Sequence, residues 1–264
     1  MFLGLMFRML AVSFLLAFCF NIQVFAKKYN LLVVLTHGDD VVSIAPLLAK
    51  SAAEGHTVHY AMFTGIQDTS GVEGSPIRAE LLCASRVLGI KESFVMSGPA
   101  GEAASTTKAI AERLIEIINQ TKPDVIITWG PDGLTGHPRH IMVGNVVTRV
   151  FQQQAHLKHK PRKLYYIAYP ESLFSETRLP FVIAGVDGPF GTVNDLFITT
   201  KVDSSRYIKQ TREAIACFTI TLEPNDLWQQ KWSERVTTTL GGKVFLRLVL
   251  PASGKPETDI FKGL

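Results

Sequence analysis

Two short stretches concentrate the residues able to do chemistry, THGDD at residues 36–40 and HPRH at residues 137–140. Each places polar groups three positions apart: His37 with Asp40, and His137 with His140. Asp39 lies inside the first. One His and one Asp from the first stretch, with one His from the second, make a His₂–carboxylate set. Catalytic zinc sites commonly use three such ligands and keep a position open for water. Iron(II) takes the same set, so donor types alone do not choose the metal. Two stretches supply more candidates than three ligand positions require. A hydrolytic centre also needs a base to take a proton from water, and a donor for the oxyanion or leaving group. Asp39, beside the ligand Asp40, is expected to be the base. His137, beside the ligand His140, is expected to be the acid or electrostatic partner.

Both stretches follow apolar runs. Leu31 to Thr36 reads as a buried parallel strand, and Asp124 to Trp129 (DVIITW) as another. Between and around them, helical spacing runs from Val41 to Glu54, from Ser75-Pro76 to about Leu88, from Ser105 to Thr121, and from Ile141 to Gln154. Thr57–Phe63, Phe94–Met96 and Leu164–Ala168 read as further strands, and Gly130–Pro138 as a loop. This alternation implies an α/β fold, a doubly wound, Rossmann-like and mostly parallel sheet with right-handed crossovers. Ligands of such sheets bind beyond the carboxyl ends of the strands, where both polar stretches fall. After Pro170 the pattern changes: residues 170–195 are rich in Pro and Gly, Ser204 to about Phe218 is helical, and Lys243–Leu250 alternates like a strand. The expected organisation is one domain over residues 27–264, with a core over about 30–170 and a C-terminal elaboration over about 171–264.

The chain has 264 residues, 47% of them hydrophobic and 19% charged, an ordinary globular mixture. A formal charge of +4 without a basic stripe argues against nucleic acid as a partner. Residues 1–26 have the plan of a secretory signal peptide. Arg8 precedes the apolar stretch Met9–Phe20, and Val24-Phe25-Ala26 resembles a cleavage site before Lys27-Lys28. Twelve helical residues span about 18 Å, short of a bilayer's roughly 30 Å hydrocarbon core. The expected location is therefore secreted or periplasmic. A signal anchor left uncleaved is the alternative, and the only expected membrane attachment. Behind the leader remain Cys83 and Cys217, each in a helical pattern; they could pair in an oxidising compartment, but two buried, unpaired thiols are the expectation.

The layout resembles the PIG-L/LmbE family of zinc-dependent N-acetylglucosaminyl deacetylases. The family motif AHPDDE is similar to THGDDV at 36–41, and HPDH, after a Gly-rich stretch, is similar to HPRH at 137–140. Arg78-Ala79-Glu80 through Leu88-Gly89 matches the family's Arg and Glu opening a helix that ends in Leu-Gly, and Pro123–Thr128 its PD-hydrophobic run. The resemblance covers about residues 30–150. It implies His37, Asp40 and His140 as zinc ligands, Asp39 as general base, His137 as acid or oxyanion stabiliser, and Arg78 as a substrate-binding residue. Gly38 stands where the family has proline, Val41 where it has Glu, and Arg139 where it has Asp. The family's C-terminal His and Ser/Thr-Gln pair have no counterpart in Ala216–Ile220.

The resulting expectation is a hydrolase that removes the N-acetyl group from an N-acetylglucosamine-type sugar or glycoconjugate. Zinc, or iron(II) or another divalent metal, would activate the water. Two rivals are weighed against it. Val41 and Arg139 motivate a metal- or sugar-binding protein that has lost turnover. A nucleotide-binding α/β domain would leave the second His pair without a purpose, and no Gly-rich loop follows the first strand.

Overall fold

The computed structural model describes residues 27–63, 75–96, 106–174, 192–219, 237–249 and 257–264. The expected leader, residues 1–26, lies outside them. Among the described residues no helix is long and apolar enough to cross a membrane. Seven strands form one sheet: β1 Asn30–Leu35, β2 Thr57–Phe63, β3 Glu92–Met96, β4 Val125–Thr128, β5 Lys163–Ala168, β6 Thr200–Asp203 and β7 Lys243–Leu248. Their order across the sheet is β3-β2-β1-β4-β5-β7-β6. The first five run parallel, while β7 pairs antiparallel with both β5 and β6. The mostly parallel, doubly wound expectation therefore holds, with an antiparallel edge contributed by the C-terminal part of the chain.

The central strands are apolar on both faces because helices cover both. On one face, Leu31, Val33, Leu35, Ile127 and Tyr165 pack with α1 (Ala45–Ala53), α2 (Pro76–Leu88) and α5 (Ile208–Ile215). On the other, Leu32, Val34 and Ile126 pack with α3 (Thr107–Thr121) and α4 (Pro138–Gln152). β1 has β2 on one side and β4 on the other. The winding thus changes direction between β1 and β4, and the crevice at their carboxyl ends is where such a sheet holds a ligand. The segment after β1 carries His37, Asp39 and Asp40; the segment after β4 carries His137 and His140.

Several boundaries differ from the sequence reading, for identifiable reasons. Asp39–Ser43 is a 3-10 turn rather than the start of a helix, and α1 begins only after Ile44. Pro46 sits in the first turn of α1, where its missing N–H costs nothing; inside a continuous helix from Val41 it would break the hydrogen-bond ladder. Conversely, α4 starts at Pro138, earlier than Ile141, and Gly133–Gly136 forms one helical turn inside the expected loop. Both histidines of the second stretch consequently belong to a helix start. The expected helix at 204–218 divides into a 3-10 turn, Ser205–Tyr207, and α5.

The expectation of two unpaired thiols is overturned: Cys83 of α2 and Cys217, just beyond α5, form a disulfide. The two helices pack side by side, a proximity that a sequence separation of 134 residues does not reveal. The Glu80 carboxylate adds to the link, accepting from the Thr219 N–H at 2.6 Å and its hydroxyl at 3.1 Å. Closing so long a loop restricts the unfolded chain. Replacing both cysteines by alanine is expected to cost about 2–4 kcal/mol. Urea unfolding of both proteins measures it; equal midpoints would show that α2 and α5 hold together without the bond.

At the opposite end of the strands from the polar stretches, the chain's last described residues close against its first. Phe261 stacks on Tyr29 with ring centroids 5.1 Å apart, and the Tyr29 hydroxyl donates to the Leu264 carbonyl at 2.9 Å.

Candidate metal centre

Beyond Leu35 the chain bends at Thr36–Gly38, and Asp40 closes the bend. Its Oδ2 accepts from the backbone N–H of His37 at 2.7 Å and of Thr36 at 3.0 Å. The fully buried Tyr60 of β2 donates its hydroxyl to the His37 carbonyl at 2.9 Å. Val41 is fully buried beneath the loop, so this departure from the family motif lies in the apolar core. Gly38 adopts φ −65°, ψ −42°, a backbone that proline takes without strain. A Cβ there would meet Phe218, Met62 and Leu81 at ordinary distances of 3.6 to 3.9 Å. Gly38→Pro is therefore expected to stabilise the protein by about 0.4–1 kcal/mol by restricting the unfolded chain. A lower urea midpoint would show that the bend cannot take the ring.

The second stretch meets this loop through the start of α4. His137 is the N-cap: its Nδ1 accepts from the Arg139 N–H at 3.2 Å, which leaves Nε2–H as the donor of the neutral ring. His140, one turn into the helix, is buried. Its Nδ1–H donates to the Gly133 carbonyl at 3.0 Å, and the Trp129 indole stacks on its ring, centroids 4.4 Å apart and planes 6° from parallel. These contacts fix tautomer and orientation, the supporting shell typical of a metal-ligating histidine. Trp129, expected in the core, is buried there and also walls the site.

Three donors converge. His140 Nε2 lies 3.3 Å from His37 Nδ1 and 3.4 Å from Asp40 Oδ1, and His37 Nδ1 lies 3.5 Å from Asp40 Oδ2. In tetrahedral coordination with bonds of about 2.0–2.2 Å, ligand atoms stand roughly 3.3–3.6 Å apart. With its Nδ1–H held by Gly133, His140 turns Nε2 towards His37 Nδ1 and Asp40 Oδ1. The donor set therefore fits a divalent metal. Asp39 and His137 flank it: the ligating atoms of His37, Asp39 and Asp40 lie within 4.8 Å of one another, as do those of His37, His137 and His140.

The electrostatics separate the flanking groups from the donors. Burial, then the neighbouring Asp40 charge, push the Asp39 carboxyl up to about 7. Burial acts the same way on Asp40, but His140 and His37 outweigh it and hold that carboxyl well below the usual range. Burial disfavours charge on His37, yet the Asp40 hydrogen bond and the charges of Asp40 and Asp39 prevail and raise its pKa. His137 is pushed down to about 4 by burial and by His140 and His37. At neutral pH it is a neutral imidazole whose Nε2–H can donate, which suits the oxyanion-stabilising one of its two expected roles.

Other candidates take different places. Arg78 is half-buried in the first turn of α2 and makes no hydrogen bond or ion pair with the cluster. Asp132 pairs with Arg247 of β7. His56 packs against the rings of both Tyr29 and Phe261, and His59 is buried near Phe94, both away from the site. His156 is exposed, and His159 donates to the Pro123 carbonyl at 2.8 Å. The sequence reading missed Tyr60, the Gly133 carbonyl and Arg247. Their roles depend on partners 23, 7 and 115 positions away, and no spacing pattern marks them.

The chain is similar to known proteins in sequence and in fold. Residues 32–151 match the model of the PIG-L family, described as GlcNAc-PI de-N-acetylase. Over 239 residues the chain is 31% identical to the 1D-myo-inositol 2-acetamido-2-deoxy-alpha-D-glucopyranoside deacetylase of Thermobifida fusca, covering 70% of this chain and 81% of that protein. In fold it is similar to the N,N'-diacetylchitobiose deacetylase of Pyrococcus horikoshii, with a TM-score of 0.60, 16% identity and 87% of each chain covered. It is also similar to the 4-carboxy-2-hydroxymuconate hydratase of Pseudomonas putida, with a TM-score of 0.58, 15% identity, and 86% of this chain and 98% of that one covered. A deacetylase and a hydratase thus share the architecture, and the reaction must be argued from the residues of the site.

Proposed function

Since the chain belongs to the PIG-L family, we propose that it is a metal-dependent amide hydrolase removing the acetyl group from an N-acetylglucosamine-type sugar or glycoconjugate. The observation that carries this reading is the convergence of His37 Nδ1, Asp40 and His140 Nε2 within 3.5 Å, flanked by Asp39 and His137. The named activities of the deacetylase relatives, on an acetamido-glucopyranoside and on diacetylchitobiose, support the substrate class.

His37, Asp40 and His140 would hold the metal, zinc or iron(II) by donor type. Bound there, a divalent cation supplies Lewis-acid polarisation of the amide carbonyl and acidifies water. Asp39 takes a proton from the water that attacks the carbonyl carbon. The His137 Nε2–H donates to the oxygen as negative charge develops on it, the role of an oxyanion-hole donor. Asp39 then passes its proton to the departing nitrogen as the C–N bond breaks, so one amide and one water give acetate and an amine. Val41 and Arg139 leave all five of these groups in place. Arg78, in the first turn of α2, is assigned to substrate binding.

We place the enzyme outside the cytoplasm, secreted or periplasmic. The composition of residues 1–26 supports export, and a disulfide in the folded chain suits an oxidising compartment. Metal analysis of the purified protein, followed by acetate release across N-acetyl sugars and glycoconjugates, tests the activity. Stoichiometric metal with release from at least one glucosaminide is expected. A zinc- and iron-loaded protein that deacetylates none of them would sink the reading.

A further inference from the structure

Arg247 is the most unusual charged residue that the reaction does not use. It lies inside β7, opposite Tyr166 of β5, with its guanidinium 5.5 Å from the Tyr166 ring centroid. Its Nε is buried and finds no hydrogen-bond acceptor among the described residues. The side chain as a whole is partly exposed, but an unsatisfied buried donor on it is costly. The rest of the guanidinium reaches Asp132, in the segment between β4 and α4, and forms an ion pair with it. A side chain at Gly130 would overlap both the guanidinium and the Asp132 carboxylate, so the backbone is bare where the pair crosses it.

The segment so held is strained. Leu134 has φ 58° and ψ −51°, and Gly133 before it has φ 62°. Leucine rarely adopts such a backbone, which persists only where its surroundings impose it. The Gly130 carbonyl accepts from the Gly133 N–H at 2.8 Å, and the Asp132 carbonyl from the Gly136 N–H at 3.0 Å. From the middle of this turn the Gly133 carbonyl accepts the His140 Nδ1–H. A Cβ on Gly133 would come within 2.8 Å of Ile141 and 3.1 Å of the His140 Cβ, so the turn sits tightly against the helix it orients.

We propose that the Arg247–Asp132 pair positions the metal ligand His140: it holds turn 130–136 in its strained form, so that the Gly133 carbonyl fixes the imidazole's tautomer and aim. The inference rests on the reading of His140 as a ligand. Both residues act through the turn, and neither touches the metal or the substrate.

The test measures zinc affinity of chelator-stripped protein, by competition with a chromophoric chelator, for wild type, Arg247→Met, Asp132→Asn and the double variant. Each single change is expected to weaken zinc by about 10–100-fold, as loss of a ligand's support does. The double variant is expected to lose no more than the worse single one, because both residues act through one turn. The visible spectrum of cobalt(II)-loaded variants should shift with the altered ligand geometry. Affinities within twofold of wild type in folded single variants, or losses that add in the double, would overturn the proposal. If Arg247→Met does not fold, Asp132→Asn, a near-isosteric change on a half-buried turn, decides alone. Wild-type protein that takes up no zinc removes the metal reading itself, and this inference with it.

Discussion

Asp39→Asn is expected to lower kcat for acetate release by about 10²–10⁴-fold, the usual contribution of a positioned general base, while metal content stays at the wild-type level. Asparagine keeps the shape of the side chain but cannot accept a proton from water. The loss should fall on kcat more than on KM, since Asp39 is assigned to the proton and not to sugar binding. Burial and the Asp40 charge hold the carboxyl at about 7 without metal, so a nearby cation, favouring the charged form, brings it below neutrality and ready to act. A variant with wild-type turnover would show that another group takes the proton. A variant that had lost its metal would move Asp39 from base to ligand.

Asp40→Ala is expected to abolish metal binding and activity together. One buried carboxylate does two jobs here: it faces both imidazoles, and it accepts the Thr36 and His37 N–H groups that shape the loop. Its removal takes away a ligand and leaves two backbone donors without an acceptor, at about 1–3 kcal/mol for each buried one. Part of that cost is offset, because Asp39 loses the like charge beside it. Metal analysis, thermal unfolding and acetate release distinguish the consequences. Retention of stoichiometric zinc by Asp40→Ala would overturn the ligand assignment. The companion pH dependence has a definite sign. His37 must lose its Nδ1 proton to ligate, and its pKa is raised above 6.5, so zinc affinity should fall as pH drops through that raised value.

The site was legible to the extent that it lies in short range along the chain. The apolar runs ending at Leu35 and Thr128 are bounded by polar, Gly-bearing segments, and parallel strands buried on both faces leave that mark. The parallel direction of the first five strands follows from the alternation of elements; their order across the sheet does not. The direction of β7 does not, because an alternating hexapeptide reads the same parallel or antiparallel. β6 has four residues, two of them exposed, too few to register as a period. Start signals were under-read: Pro46 and Pro138 each mark a first helical turn, and Pro138 makes His137 a cap. Contacts between distant segments were beyond reach of any spacing argument. Cys83 meets Cys217, Arg247 meets Asp132, and Trp129 lies flat on His140 only once two helical layers have closed on the sheet.

The clasp of Tyr29 with Phe261 and Leu264 bears on how the molecule can be handled. A tether ahead of Tyr29 or behind Leu264 would leave from one patch, at the amino end of β1. The histidine-bearing end lies a strand's length away, about 20 Å for six residues. A resin, a fusion partner or a lipid bilayer attached at either place would therefore sit at the end of the sheet away from the histidines. A short linker from residue 264 to residue 27 would join the two segments where they already touch, so that new ends could be opened elsewhere in the chain.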